Sequence, residues 1–131
     1  MRFPKHRRMA RSSEYRRVRE EGTSYRGRHL ILGVLVDESI DDLRVGFITT
    51  KRLGNAVMRN RVRRRMRMVL VELGDLILPG HYLVTVARPA AAEATFFALR
   101  KEWKWLGHRA GLFAPSKPAG DEGDVDGGGF A

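Results

Sequence analysis

The sequence predicts an α+β fold, a two-layer sandwich of helices on a small mixed sheet in the order αββαβα. Three observations carry this. Along the 131 residues the apolar positions switch between a period near 3.6 and a period near 2. The switches fall at Gly22, Asp37–Asp42, Gly54, Pro79-Gly80 and Pro89, where turn chemistry belongs. The length suits one domain, with enough chain to bury about two-thirds of its unfolded surface.

Taken in order, Ser12 or Ser13 is placed to cap a first helix that runs to about Glu21 and stops at Gly22. Tyr15 and Val18, three apart, give it a narrow apolar stripe. His29–Val36 is mostly apolar and partly β-branched, which suits a strand. After the polar turn at 37–42, Leu43, Val45 and Phe47 alternate with Arg44, Gly46 and Ile48 in a half-buried strand to about Thr50. A long helix follows from about Ala56 to Leu73, capped by Asn55 and ended by Gly74. Pro79-Gly80 turns the chain into a strand over Tyr82–Ala87, which Pro89 stops. A last helix from about Thr95 to Leu106 spaces Phe96, Leu99, Trp103 and Leu106 along one face, with Phe97 and Trp105 available to cover the sheet.

Charge divides the chain at residue 113. Residues 114–131 carry Asp121, Glu122, Asp124 and Asp126 against Lys117, with Gly and Pro and little apolar mass. That composition cannot offset the entropy of ordering, so a disordered acidic tail is expected after a domain over 1–113. The whole chain has a net charge of +10, and the domain without its tail has 24 cations against 11 anions. Arg supplies 20 of the 25 Lys and Arg residues. The guanidinium fork matches phosphate, so an Arg excess points to nucleic acid.

Several function classes fall away. With no Cys there is no disulfide scaffold, thiol nucleophile or Cys-ligated zinc. The longest apolar stretch, Leu30–Val36, is far short of the roughly 20 residues that span a bilayer. The basic start lacks the apolar core of an export signal, so a cytoplasmic location and no membrane partner are expected. A protein-only metal nuclease needs clustered carboxylates or imidazoles. Glu14, Asp41, Asp42, Glu72 and Asp75 are scattered, and His6, His29, His81 and His108 have no ligand spacing. No metal bound by the protein alone is expected.

The densest information lies in 51–67. On a helical wheel Met58, Val62, Met66, Val69, Leu70 and Leu73 share an arc of roughly 120°, enough to dock on a sheet. Arg59, Arg63 and Arg67 flank that arc on one side and Arg65 on the other, while Arg61 and Arg64 face outward. Like charges four apart weaken a helix by a few tenths of a kcal/mol each. Cations in its first half also oppose the helix dipole. No acidic residue between Asp42 and Glu72 offsets either effect. Such local conflict marks function, and an array of phosphates would relieve it. Lys51 and Arg52 lie beside Gly54, which permits positive φ or close backbone approach, and Asn55, whose cap leaves outward N–H groups. A DNA-binding helix is disfavoured, because six Arg in 59–67 suit backbone contact more than base readout. A ribosomal or general structured-RNA-binding protein without an enzymatic role is the alternative that charge alone leaves open.

The run Lys51-Arg52-Leu53-Gly54-Asn55-Ala56-Val57, followed by Arg59-Asn60-Arg61 and Arg63-Arg64, resembles the RNR signature of the bacterial ribonuclease P protein subunit. Arg44-Val45-Gly46-Phe47, Tyr82–Arg88 and the stretch from Glu14-Tyr15 to Gly22-Thr23 fit the same family. The resemblance spans roughly residues 8–113 and implies a left-handed βαβ crossover. It implies a holoenzyme in which a catalytic RNA subunit, with Mg²⁺ held mainly by RNA, cuts the 5′ leader from precursor tRNA. The protein would bind both RNAs and be inactive alone. By matching position, Lys51, Arg52, Asn55, Arg59, Asn60, Arg61 and Arg64 would sit near the catalytic RNA, with Arg63, Arg65 and Arg67 in the same basic surface. Tyr15 and Arg19, with His29, Ile31 and Thr49, are candidates for a cleft that holds the single-stranded leader. Family members often carry an aromatic where this chain has Arg19, and another where it has Gly33. Leader contacts are therefore expected to lean on charge more than on stacking.

Overall fold

The computed structural model describes residues 3–114; the acidic tail expected over 114–131 lies, beyond Ala114, outside them. The regular elements are α1 (Ser12–Glu21), β1 (Thr23–Arg26), β2 (Leu30–Val36), β3 (Leu43–Ile48), α2 (Ala56–Leu73), β4 (His81–Ala87) and α3 (Phe96–Arg109). The α+β architecture follows the sequence-based order with one addition. β1 does not appear in that order because its pattern is nearly all polar. Only Tyr25 packs against the core, and the other three residues are exposed, so no alternation signals the strand. It is held by its register on β2, from Thr23 opposite Val34 to Arg26 opposite Ile31.

The start of α1 also differs from expectation. The serines do not cap it. Instead the Glu14 carboxylate reaches back and accepts from the Ala10 and Arg11 backbone N–H groups at 2.9 and 3.0 Å. A carboxylate in the first turn meets the free N–H groups and the positive end of the dipole together.

The four strands lie in the order β1-β2-β4-β3. β4 is central, antiparallel to β2 and parallel to β3. Because β3 and β4 are parallel neighbours, the chain must cross the sheet between them, and α2 is that crossover. Its Val62, Met66, Val69, Leu70 and Leu73 are buried, as the helical wheel predicts. They join Leu99, Trp103 and Leu106 of α3 over Leu30, Leu32, Leu43, Val45 and Leu83 of the sheet. Trp103 is fully buried, and its indole N–H donates to the Thr85 hydroxyl at 2.9 Å, so the buried polar residue of β4 is partnered. Phe97 does not cover the sheet; it is 76% exposed.

α1 adds a partial layer on the opposite face, where Val18 packs with Leu35 and Val84. Gly33 permits this approach: a Cβ there would stand 3.2 Å from Val18 Cγ1. The N-terminal segment is integrated as well. Phe3 is buried and meets Phe47 edge-on at 5.9 Å between centroids. Arg7 bridges Asp42 and Asp75, each at 3.1 Å. Those carboxylates raise the Arg7 pKa despite its burial. Met9 N–H donates to Val45 O at 2.9 Å, which occupies part of the otherwise open edge of β3.

Candidate nucleic-acid interface

The basic site begins where β3 ends. Lys51–Leu53 form a short 3-10 turn, and Gly54 then takes φ +143°. That conformation is open to glycine, and a Cβ there would also press on the Met58 sulfur at 2.8 Å. Asn55 caps α2, its side-chain oxygen accepting from Met58 N–H at 3.0 Å. Gly54 and Asn55 thus do the local work their positions predict, and the helix leaves the turn with its cations presented at once.

Those cations divide by what they touch. Arg59 donates to Gly54 O at 2.9 Å and braces the turn. Arg63 donates to Asn60 Oδ1 at 2.9 Å and to the Thr49 hydroxyl, tying α2 to the end of β3. Arg65 donates to Ala94 O at 2.6 Å, across to the segment that precedes α3. Lys51, Arg52, Arg61 and Arg64 are exposed. Among the described residues, none of the eight Lys and Arg side chains from 51 to 67 lies in an ion pair. The carboxylates that pair do so elsewhere: Asp42 and Asp75 with Arg7, Glu21 and Asp37 with Arg17, Glu102 with His29 and Glu72 with Arg100. Burial first, and then the neighbouring Arg8 and Arg63, hold the Arg67 guanidinium below its ordinary pKa. The cluster is therefore repulsive within itself, and an anion placed there would stabilise it.

Tyr15 joins this cluster from α1. Its ring lies over Gly46 so closely that a Cβ on that glycine would stand 2.5 Å from Tyr15 Cε1 and Oη. Burial raises the phenol pKa, against a lowering by a backbone hydrogen bond at Phe47. Tyr15, Met9, Gly46 and Phe47 line a cleft of about 110 Å³, rimmed by Arg8, Arg63 and Arg67. An aromatic ring beside three guanidiniums suits a base with its phosphates.

The other cleft candidates separate. Arg19 lies one turn beyond Tyr15 and is exposed. Ile31 is half-buried in β2, opposite Val86. Thr49 reaches the cluster through Arg63. His29 does not join it: its ring pairs with Glu102 of α3 at 2.9 Å, and the same carboxylate accepts the His29 and Leu30 backbone N–H groups. Arg8 and Gly46 belong to the site and are not among the candidate site residues read from sequence. A glycine inside an alternating strand was the available signal for close approach at Gly46. Arg8 had none, because its neighbours are distant in the chain. Among the described residues, no group of three or more His, Asp or Glu is placed to hold a metal ion. No helix there is long and apolar enough to cross a membrane.

A mixed four-stranded sheet that presents an unpaired arginine helix beside an aromatic cleft defines a protein built to meet a polyanion. Comparison with known proteins narrows the class. The ribonuclease P family profile matches residues 3–111. A ribonuclease P protein component from Syntrophomonas wolfei is 39% identical over 103 residues, 79% of this chain and 86% of that protein. One from Beutenbergia cavernae is 37% identical over 117 residues, 89% of this chain and 98% of that one. A solved variant of the Staphylococcus aureus RNase P protein superposes with a TM-score of 0.78 at 27% identity, covering 83% of this chain and 92% of that one. The chain belongs to the bacterial ribonuclease P protein family. It is the protein component of a ribonuclease holoenzyme whose other partner is RNA.

Proposed function

We propose that this protein binds the catalytic RNA of ribonuclease P through α2 and the single-stranded 5′ leader of precursor tRNA through the Tyr15 cleft. The observation that carries this is the row of cations on α2 without carboxylate partners, beside a cleft that combines Tyr15 with Arg8, Arg63 and Arg67. Exposed Arg61 and Arg64, with Lys51 and Arg52, take phosphates of the folded RNA. Arg59 and Asn55 brace the turn that presents them, Asn60 accepts from Arg63, and Arg65 holds α2 in place.

The chemistry is assigned to the RNA. Mg²⁺ held mainly by RNA, as the family resemblance implies, would supply the chemistry for hydrolysis of the leader phosphodiester. The protein's contribution is to neutralise phosphates that would otherwise repel one another as leader and catalytic RNA approach. This takes place in the cytoplasm, and neither DNA nor a membrane is a partner.

The test is reconstitution. Purified protein with Mg²⁺ and precursor tRNA should show no specific 5′ cleavage. Adding the RNA that co-purifies with the protein should restore it. Specific cleavage by the protein alone, or co-purification of ribosomal RNA with no processing activity, would refute the proposal.

A further inference from the structure

The docked N-terminal segment builds a second groove against α2. Its volume is about 590 Å³, and Lys5, Arg8, Arg64 and Arg67 rim a floor that includes Met68 and Val71. Met68 is 37% exposed, so its side chain is accessible from the groove. Arg8 and Arg67 also line the Tyr15 cleft, so the two cavities share a pair of guanidiniums. Among the described residues, none of the four rim cations is in an ion pair.

The segment is anchored by other groups. Phe3 is in the core, Arg7 is clamped by Asp42 and Asp75, and Met9 is bonded to β3. These anchors use none of the rim charges apart from one guanidinium N–H of Arg8, which donates to Phe3 O at 3.3 Å. Like-charged side chains are thus brought face to face by contacts that do not neutralise them.

We propose that this groove is a second RNA subsite, which receives a nucleotide of a single strand continuing out of the Tyr15 cleft. The base rests on Met68 and Val71. The phosphates on either side pass between Lys5 and Arg8 on one wall and Arg64 and Arg67 on the other. The inference rests on the assignment of the Tyr15 cleft to single-stranded RNA. An apolar floor with cations on both rims matches a base with its flanking phosphates, and it has no feature that reads base identity, so the subsite is sequence-tolerant. The like-charge repulsion between Arg8 and Arg67, which adds to burial in lowering the Arg67 pKa, would be relieved by the same phosphates.

The test uses the full-length chain and labelled oligouridylates of about four and about eight nucleotides, lengths chosen to fill one cleft or both. The longer strand should bind at least about tenfold more tightly, beyond what extra charge on a non-contacting end supplies. Lys5→Ala and Met68→Glu, which touch only the second groove, should each remove most of that gain and leave the short strand within about twofold of wild type. Lys5→Ala should also flatten the long strand's salt slope by about 0.7. Asp42→Asn, which loosens the Arg7 clamp without removing a rim charge, should reduce the gain in a protein that thermal melting shows to be folded. A long strand that binds no better than the short one, or a gain that survives both Lys5→Ala and Met68→Glu, overturns the proposal. A short strand whose binding is insensitive to Arg63→Ala overturns the Tyr15 cleft assignment itself, and the subsite with it.

Discussion

Replacing Arg61 by Ala and replacing Arg65 by Ala should damage this protein in different ways, although the two lie one turn apart on the same helix. Arg61 is exposed and has no carboxylate partner among the described residues. Its removal also relieves a like-charge neighbour four positions away, so stability should stay within about 0.5 kcal/mol of wild type. Its loss should register in RNA binding. If about six phosphates are neutralised, log K falls against log salt with a slope near −4 to −5, and Arg61→Ala should flatten it by about one. Arg65 instead spends its guanidinium on Ala94 O at 2.6 Å and is half-buried. A charged donor to a carbonyl contributes roughly 1.5–3 kcal/mol when buried, and partial exposure brings this to about 1–2 kcal/mol. For a domain this size, where each kcal/mol moves the melting temperature by roughly 3–6 °C, it should drop by roughly 3–12 °C. Anisotropy titrations with the RNA subunit across a salt series, beside thermal melts, measure both quantities. A slope flattened equally by Arg65→Ala with no change in melting would refute the division of roles. So would a destabilised Arg61→Ala with an unchanged slope.

Three further outcomes follow from the geometry. Gly46→Ala places a methyl 2.5 Å from the Tyr15 ring, so the ring must move; stability should fall by about 1–3 kcal/mol, and ultraviolet titration should show the Tyr15 phenol returning toward its ordinary pKa. Trp103→Phe leaves the fully buried Thr85 hydroxyl without its donor, which should destabilise by about 1–3 kcal/mol before any cavity contribution; Thr85→Val in that background should recover part of the loss in a double-mutant cycle of denaturant melts. Ser39, through its hydroxyl and N–H, and then Arg17 hold the Asp37 carboxyl at a pKa of about 2, below the ordinary value near 3.8. A depressed carboxylate stabilises the fold fully above its unfolded pKa, so this contribution should be lost as pH falls from about 4 to about 2, and Asp37→Asn should remove that part of the stability–pH curve.

Much of the fold is legible in the sequence because its signals are local. The Val62–Leu73 stripe, the Asn55 cap and the Gly54 conformation depend on residues within a few positions of one another, and all three are as the spacing predicts. β1 was not legible. A four-residue edge strand with one core contact carries almost no pattern, and its partner is set by the β2 register alone. The serines of α1 carry a capping signal that goes unused, because they are the first two residues of the helix; Glu14 instead bonds the Ala10 and Arg11 N–H groups.

The same boundary runs through the site. Composition and spacing alone give an arginine helix with no acidic counterpart nearby in the chain, and thereby point to a polyanionic partner; the resemblance to a family comes from the signature over 51–64. They could not say which arginines are free. That depends on Ala94 reaching Arg65, Gly54 O facing Arg59 and Thr49 meeting Arg63, contacts that span up to 29 residues. Nor could they place His29, drawn to Glu102 from 73 residues away, or bring Arg8 and Lys5 across from Arg64 and Arg67. Charge and periodicity are properties of the chain; whether a given charge meets a protein oxygen or water is settled only when the sheet, the crossover helix and the N-terminal segment have packed.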